Sequence, residues 1–233
     1  LKNIDMLSLL KNELVVSCQA YPDETLFGSE IMSRFALTAK EGGAAAIRAN
    51  SPADIAAIKA MVGLPIIGIW KERYPDSDVY ITPTLKEAIA VAEAGADIVA
   101  IDATDSVRPN EERLEDILLY LRKHYSCMLM ADVSTLNEGI RAEKLGFDIV
   151  STTLSGYTPH SKAQDSPDFE LISDLVEHVS IPVFAEGRIQ TADQAIECLR
   201  RGAYAVVVGS AITRPQLITR RFVEAIQQSV TIG

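Results

Sequence analysis

The chain's 233 residues, 48% of them hydrophobic, suffice to bury one full core, and no linker or shift of composition divides them. A formal charge of −10 argues against nucleic acid and anionic membrane surfaces as partners, and leaves any bound anion to be held by local positive charge. No apolar run reaches membrane-spanning length and no signal peptide is visible, so a cytoplasmic protein is expected; Leu1 in place of a methionine suggests a missing start residue or short leader.

In chain order, residues 4–12 read as a short helix, suited to plug the floor of a barrel. Eight short β-rich runs then recur at 15–19, 45–48, 66–71, 98–102, 128–132, 149–152, 183–187 and 206–210. Each ends in a polar or glycine residue and each is succeeded by a helical pattern. Eight alternating units in one chain of this length predict an α/β fold, a single (β/α)8 TIM barrel spanning residues 1–233 behind that short N-terminal helix.

Local punctuation agrees. Ser51 and Pro52 supply an N-cap and a first helical proline, and Thr191 followed by Gln194 has the capping-box spacing. Helices are expected to stop at Gly42 and Gly43, Gly95, Gly146 and Gly202 through left-handed C-terminal turns. The loops from helix to strand are therefore short. Three loops from strand to helix are long, at 20–28, 72–83 and 155–168, on the face where such barrels select and cover substrates.

Side-chain alternation decides which residues enter the barrel. Lys71 shares the inward parity of Ile69 and Ile67, Glu186 that of Phe184, Asp132 that of Met130, and Gln19 that of Ser17. These four come from strands 1, 3, 5 and 7, and alternate strands contribute the side chains of one layer. Arg48 and Asp102, from strands 2 and 4, are expected in the neighbouring layer. Strands 3 and 7 face each other across the barrel, so a substrate there would meet an amine on one side and a carboxyl group on the other. Burial lowers a lysine pKa and raises a glutamate pKa, which fits both for proton transfer near neutral pH.

A second signal lies after the last two strands, where Glu186-Gly187-Arg188 and Gly209-Ser210 lead into loops. Glycine-bearing loops there, with a helix N-terminus, form the common phosphate site of these barrels, and Arg188 and Arg214 supply charge. His124, His160 and His178 are scattered, and Cys18, Cys127 and Cys198 lack metal-ligand spacing and read as reduced thiols; no metal site is expected. Asp102 is equally suited to reaching substrate or to holding Arg48 or a lysine in place.

At these residues the chain resembles the N-acetylmannosamine-6-phosphate 2-epimerase family of bacterial amino-sugar and sialic-acid catabolism. The resemblance rests on Ser17-Cys18-Gln19-Ala20, Ile47-Arg48-Ala49-Asn50, Gly68-Ile69-Trp70-Lys71 and Asp102-Ala103-Thr104. It continues through Met130-Ala131-Asp132, Thr152-Thr153-Leu154-Ser155-Gly156-Tyr157-Thr158, Ala185-Glu186-Gly187-Arg188 and Gly209-Ser210-Ala211-Ile212-Thr213-Arg214-Pro215, over nearly the whole chain. It implies interconversion of N-acetylmannosamine 6-phosphate and N-acetylglucosamine 6-phosphate without a cofactor. Lys71 and Glu186 would then move protons at C2. Gln19, Arg48, Asp132, Thr152 and Tyr157 would hold the sugar, and Gly187, Arg188, Gly209, Ser210 and Arg214 the phosphate. Trp70 departs from the smaller aliphatic residue expected there, but its outward parity turns it toward the helices.

The expected partner is thus a small sugar phosphate, with a homodimer as the assembly to consider. The rival enzyme classes are a pentose-phosphate 3-epimerase, which would need a His/Asp metal set missing here, and an aldose–ketose isomerase, which would move a proton between C1 and C2. A phosphosugar-sensing protein would have no use for an acid/base pair.

Overall fold

A computed structural model describes residues 3–231, with side chains over 6–229. The ends of the expected 1–233 domain, residues 1–2 and 232–233, lie outside the described residues. Eight parallel strands close into a barrel in sequence order: β1 (Leu14–Cys18), β2 (Ala46–Asn50), β3 (Ile66–Ile69), β4 (Ile98–Asp102), β5 (Met128–Asp132), β6 (Ile149–Ser151), β7 (Val183–Glu186) and β8 (Ala205–Val208). After β1 to β7 come α2 (Ser29–Glu41), α3 (Pro52–Val62), α4 (Leu85–Glu93), α5 (Leu114–His124), α6 (Leu136–Leu145), α7 (Phe169–His178) and α8 (Ala192–Arg200). The chain opens with α1 (Asn3–Ser8) and ends with the four-residue α9 (Ser210–Thr213) and the longer α10 (Pro215–Thr231).

Alternation along the strands separates two cores. Val15, Ile67, Ile69, Ile98, Ala100, Met130, Phe184 and Val207 fill the barrel, while Val16, Ile47, Val99, Ile101, Leu129 and Val150 pack outward against helices. The helix before β1 plugs the floor: Met6 and Leu10 join the interior cluster, and Tyr204 Oη donates to the Leu7 carbonyl at 3.0 Å.

Several strands end one or two residues before the polar positions that the sequence pattern includes in them. After β3 the Lys71 N–H donates to Asn50 Oδ1 at 2.8 Å, and the chain turns back on itself. Thr82 N–H donates to the Trp70 carbonyl and Glu72 N–H to that of Tyr80, bringing Tyr80 and Ile81 to the barrel mouth. Trp70 faces outward, half-buried against the helical layer.

Helix starts obey local side-chain chemistry. Ser51 caps α3 by accepting from Asp54 N–H. Thr191 Oγ1 accepts from Gln194 N–H, but Gln194 Oε1 takes the N–H of Gln190 rather than that of Thr191. Complete capping boxes occur instead at Thr84 with Glu87 and Thr135 with Glu138. Left-handed turns at helix ends fall on Gly43, Gly95, Gly146 and Gly202, and also on Gly63, which caps α3.

Candidate active site

The C-terminal ends of the strands surround a cavity of about 340 Å³. Gln19, Arg48, Lys71 and Glu186 all line it, as do Tyr157, Gly187, Arg188, Gly209, Ser210 and Arg214. Asp132 lies beneath it, fully buried and gripped by Arg48.

The centre of the site is a charge cluster. The buried Arg48 guanidinium donates from Nη2 to Asp132 Oδ2 at 2.5 Å and from Nη1 to Asp132 Oδ1 at 3.2 Å. The same Nη1 lies 3.1 Å from Glu186 Oε2. Arg48 therefore joins the layer of Asp132 and Glu186, not Asp102, because its long side chain reaches across from β2 to β5 and β7. Although burial alone would lower its pKa, the facing carboxylates of Asp132 and Glu186 hold this guanidinium above its ordinary value. Its Nε is buried without a partner.

Thr153 Oγ1 lies 2.7 Å from Asp132 Oδ1 and 3.1 Å from Glu186 Oε2. One hydroxyl hydrogen can serve only one of them. Where Thr153 donates to Glu186 it favours the ionised carboxyl and so opposes an upward shift of its pKa. Burial independently pushes the Glu186 carboxyl above its usual 4.5, Asp132 adds to the shift and Arg48 opposes it.

Across the cavity, burial pulls the Lys71 amine below its usual 10.5; Tyr21 and Glu186 oppose the shift and Arg48 reinforces it. Lys71 Nζ lies 3.4 Å from Tyr21 Oη and 5.4 Å from the centre of the Tyr21 ring. Gln19 Nε2 donates to Ser17 Oγ at 2.7 Å, which fixes the amide at the rim.

Thr152 faces away from the cavity. Its hydroxyl donates to the Glu186 carbonyl at 2.9 Å and accepts from Glu186 N–H at 3.1 Å, tying β6 to β7. The alternation Ile149 in, Val150 out, Ser151 in gives the reason: Thr153, not Thr152, has inward parity. That signal is present in the sequence. Tyr21 and Tyr80 have no comparable one, since each reaches the cavity through a loop.

At the other end of the cavity, Gly187 has φ 110° and Gly209 opens α9. A Cβ on Gly209 would stand 3.3 Å from Ser17 Cβ, so a larger residue here would need β1 to give by a few tenths of an ångström. The helix after β8 is just four residues long, so backbone N–H groups rather than a long helix dipole are what this end offers. Arg214 Nη2 pairs with Glu24 Oε2 at 3.0 Å, and its guanidinium lies 5.1 Å from the Tyr21 ring. Arg188 donates to the carbonyls of Ser155 and Gly156 at 2.6 and 2.9 Å and stacks on Tyr157 at 3.7 Å. It thereby holds the loop after β6 at the mouth.

Asp102 holds neither Arg48 nor a lysine. It accepts from the N–H and hydroxyl of Thr104, and burial pushes its carboxyl up to about 6. Among the described residues no group of His, Cys, Asp and Glu has the arrangement of a metal site. His124 stacks on Tyr120, His178 bonds the Asp174 carbonyl, and His160 lies 3.4 Å from Ser106 Oγ. The cysteines are free thiols; burial raises Cys18 to about 12 and Cys198 to about 11.

The family model described as "Putative N-acetylmannosamine-6-phosphate epimerase" matches residues 32–228. A "Putative N-acetylmannosamine-6-phosphate 2-epimerase" of Clostridium perfringens is 53% identical over 222 residues, 95% of this chain and 100% of the relative. One from Caldanaerobacter subterraneus is 52% identical over 226 residues, 97% of this chain and 95% of the relative. A solved structure of the N-acetylmannosamine-6-phosphate 2-epimerase from Clostridium perfringens superposes with a TM-score of 0.92 at 53% identity, covering 94% of this chain and 96% of the other. Thiamine phosphate pyrophosphorylase from Pyrococcus furiosus, at 23% identity and a TM-score of 0.58 over 89% of each chain, shares the fold alone. On the family match and these full-length identities, the chain belongs to the N-acetylmannosamine-6-phosphate epimerase family of isomerases.

Proposed function

We propose that this protein epimerises C2 of N-acetylmannosamine 6-phosphate to give N-acetylglucosamine 6-phosphate, using no metal or cofactor, in the cytoplasm. The observation that carries the reading is the pairing of Lys71 and Glu186 in one cavity, with their pKa values displaced toward each other. A two-base inversion needs one group that accepts a proton and one that gives it, each near its working pH.

The C2 hydrogen becomes acidic when the ring opens and C1 is an aldehyde. The neutral Lys71 amine removes that proton, and the C–H electrons move into the C1 carbonyl to form an enolate. Protonated Glu186 delivers a proton to the opposite face of C2 as the C1 carbonyl re-forms. Each turnover leaves Lys71 protonated and Glu186 ionised, which is the state for the reverse reaction; exchange with water resets both groups. The Gln19 amide at the rim, and the Arg48 charge beneath, favour negative charge developing on the enolate oxygen. Asp132 acts through Arg48, whose fork it fixes.

The phosphate is placed at the turns of Gly187, Gly209 and Ser210, with Arg214 as its cation. Arg214 is free to turn from Glu24 to a dianion, whereas Arg188 is bound to two carbonyls and serves the loop beside Tyr157. Replacing Lys71 by alanine tests the assignment. Turnover of N-acetylmannosamine 6-phosphate is expected to fall by about 10²–10⁴-fold, the usual contribution of a positioned acid or base. Near-normal turnover would remove Lys71 from the chemistry.

A further inference from the structure

A lysine carries its amine at the end of a long flexible stem, and proton transfer at one carbon needs that amine held in one place. The backbone of Lys71 is fixed, by its N–H to Asn50 Oδ1 and by a bridge to Ile81. At the far end of the side chain, Nζ has one hydrogen-bond partner among the described residues: it donates to Tyr21 Oη at 3.4 Å. The Tyr21 hydroxyl has no other partner among them.

Tyr21 stands in the loop from β1 to α2 and is 41% exposed, yet its backbone is pinned. Tyr21 N–H donates to Glu24 Oε2 at 2.7 Å, and Glu24 N–H donates to the Tyr21 carbonyl at 2.9 Å. The Glu24 carboxylate is itself held from beyond β8, by Arg214 Nη2 and by Gln216 Nε2, each at 3.0 Å. The Tyr21 ring completes the cluster. Its centre lies 5.4 Å from Lys71 Nζ and 5.1 Å from the Arg214 guanidinium, within the range at which an aromatic face attracts a cation.

We propose that Tyr21 is a positioning residue for Lys71, holding the amine toward C2 of the substrate through both halves of the proton transfer. The inference rests on the role proposed above for Lys71. A neutral amine that donates one N–H to the phenol oxygen keeps its lone pair free for the C2 hydrogen. Once the amine has become an ammonium, the same oxygen accepts from it and the same ring faces the charge. The contact therefore also sets the basicity of the amine. Burial pulls the Lys71 pKa down, and the hydrogen bond to Tyr21 holds part of it back, because it favours the charged form. Through Glu24 and the shared ring, the amine and the cation proposed for the phosphate stand on one support.

Tyr21→Phe tests this, since it removes the hydroxyl, keeps the ring and changes an exposed position; circular dichroism verifies the fold. The first readout needs no substrate. Modification of Lys71 by acetic anhydride across a pH series, read by mass spectrometry of its peptide, gives the titration of the amine. In Tyr21→Phe that curve is expected to move to lower pH by about half a unit to one unit, the worth of one hydrogen bond. The second readout is turnover of N-acetylmannosamine 6-phosphate. There kcat is expected to fall about tenfold with KM changed by less than about twofold, and the acid limb of kcat/KM to move down with the modification curve. A modification curve that Tyr21→Phe leaves in place would overturn the proposal, whatever the turnover. A rise in KM at unchanged kcat would do so as well, by making Tyr21 a binding residue. An unchanged protein whose Lys71 titrates as expected, but which does not turn over the sugar phosphate, would instead refute the reaction and leave Tyr21 as the support of the amine.

Discussion

At the level of single residues, the proposed catalysis turns on two half-buried groups of opposite ordinary charge. The proposed mechanism needs Lys71 neutral and Glu186 protonated. Protonation of one stops the reaction on the acid side, and ionisation of the other stops it on the alkaline side. Because burial lowers the first pKa and raises the second, both limbs of the pH profile of kcat/KM are expected between the unshifted values of 4.5 and 10.5. In Glu186→Gln the side chain cannot ionise, so the alkaline fall should vanish from whatever rate remains. A fall that persists in the variant would place it on another group. The parity of Lys71, Glu186, Asp132 and Gln19 is legible in the sequence because alternation is a local property. The reach of Arg48 is not, since nothing in the spacing says that a long side chain from β2 will pair with carboxylates on β5 and β7. Thr153 is legible by the same alternation that turns Thr152 outward, while Tyr21 and Tyr80 depend on how two long loops fold.

Among the elements, the strands and helices arise from short-range patterns, and their precise ends do not. The run 66–71 reads as one strand, yet β3 stops at Ile69 because Asn50 takes the Lys71 N–H and residues 80–82 return to the chain. Close packing is equally hidden. Gly68 lies where β3 meets α3 and α4, and an added Cβ would fall 2.6 Å from Ala96 Cβ, 2.7 Å from Val91 Cγ1 and 2.9 Å from Ile55 Cδ1. Ala96 Cβ cannot rotate away. Gly68→Ala is therefore expected to lower stability by about 1–3 kcal/mol, read from denaturant unfolding, through overpacking alone. An unchanged midpoint would show that the layer between β3 and its helices is looser than described.

For the molecule as a whole, an acidic chain takes an anionic substrate, so the attraction must be local. A net charge of −10 repels a phosphate from afar, and Arg214, now paired with Glu24, is the cation proposed to hold the phosphate. Arg214→Gln is expected to raise KM for the phosphosugar by about tenfold or more, the cost of one charged hydrogen bond, with a smaller effect on kcat. A kcat loss at unchanged KM would move Arg214 from binding to chemistry. The barrel itself is fully legible, since eight repeats of one pattern leave little choice of architecture. The exposed course of α10 is not, because its apolar spacing is that of a helix packed on a barrel.

The mechanism stands or falls on proton exchange at C2 by groups of this protein. Proton NMR of N-acetylmannosamine 6-phosphate in D2O, with the protein and no added metal or cofactor, reads that exchange itself. N-acetylglucosamine 6-phosphate carrying deuterium at C2 is the expected product. A folded protein that yields neither that isomer nor exchange at C2, or that yields a ketose instead, would refute the mechanism.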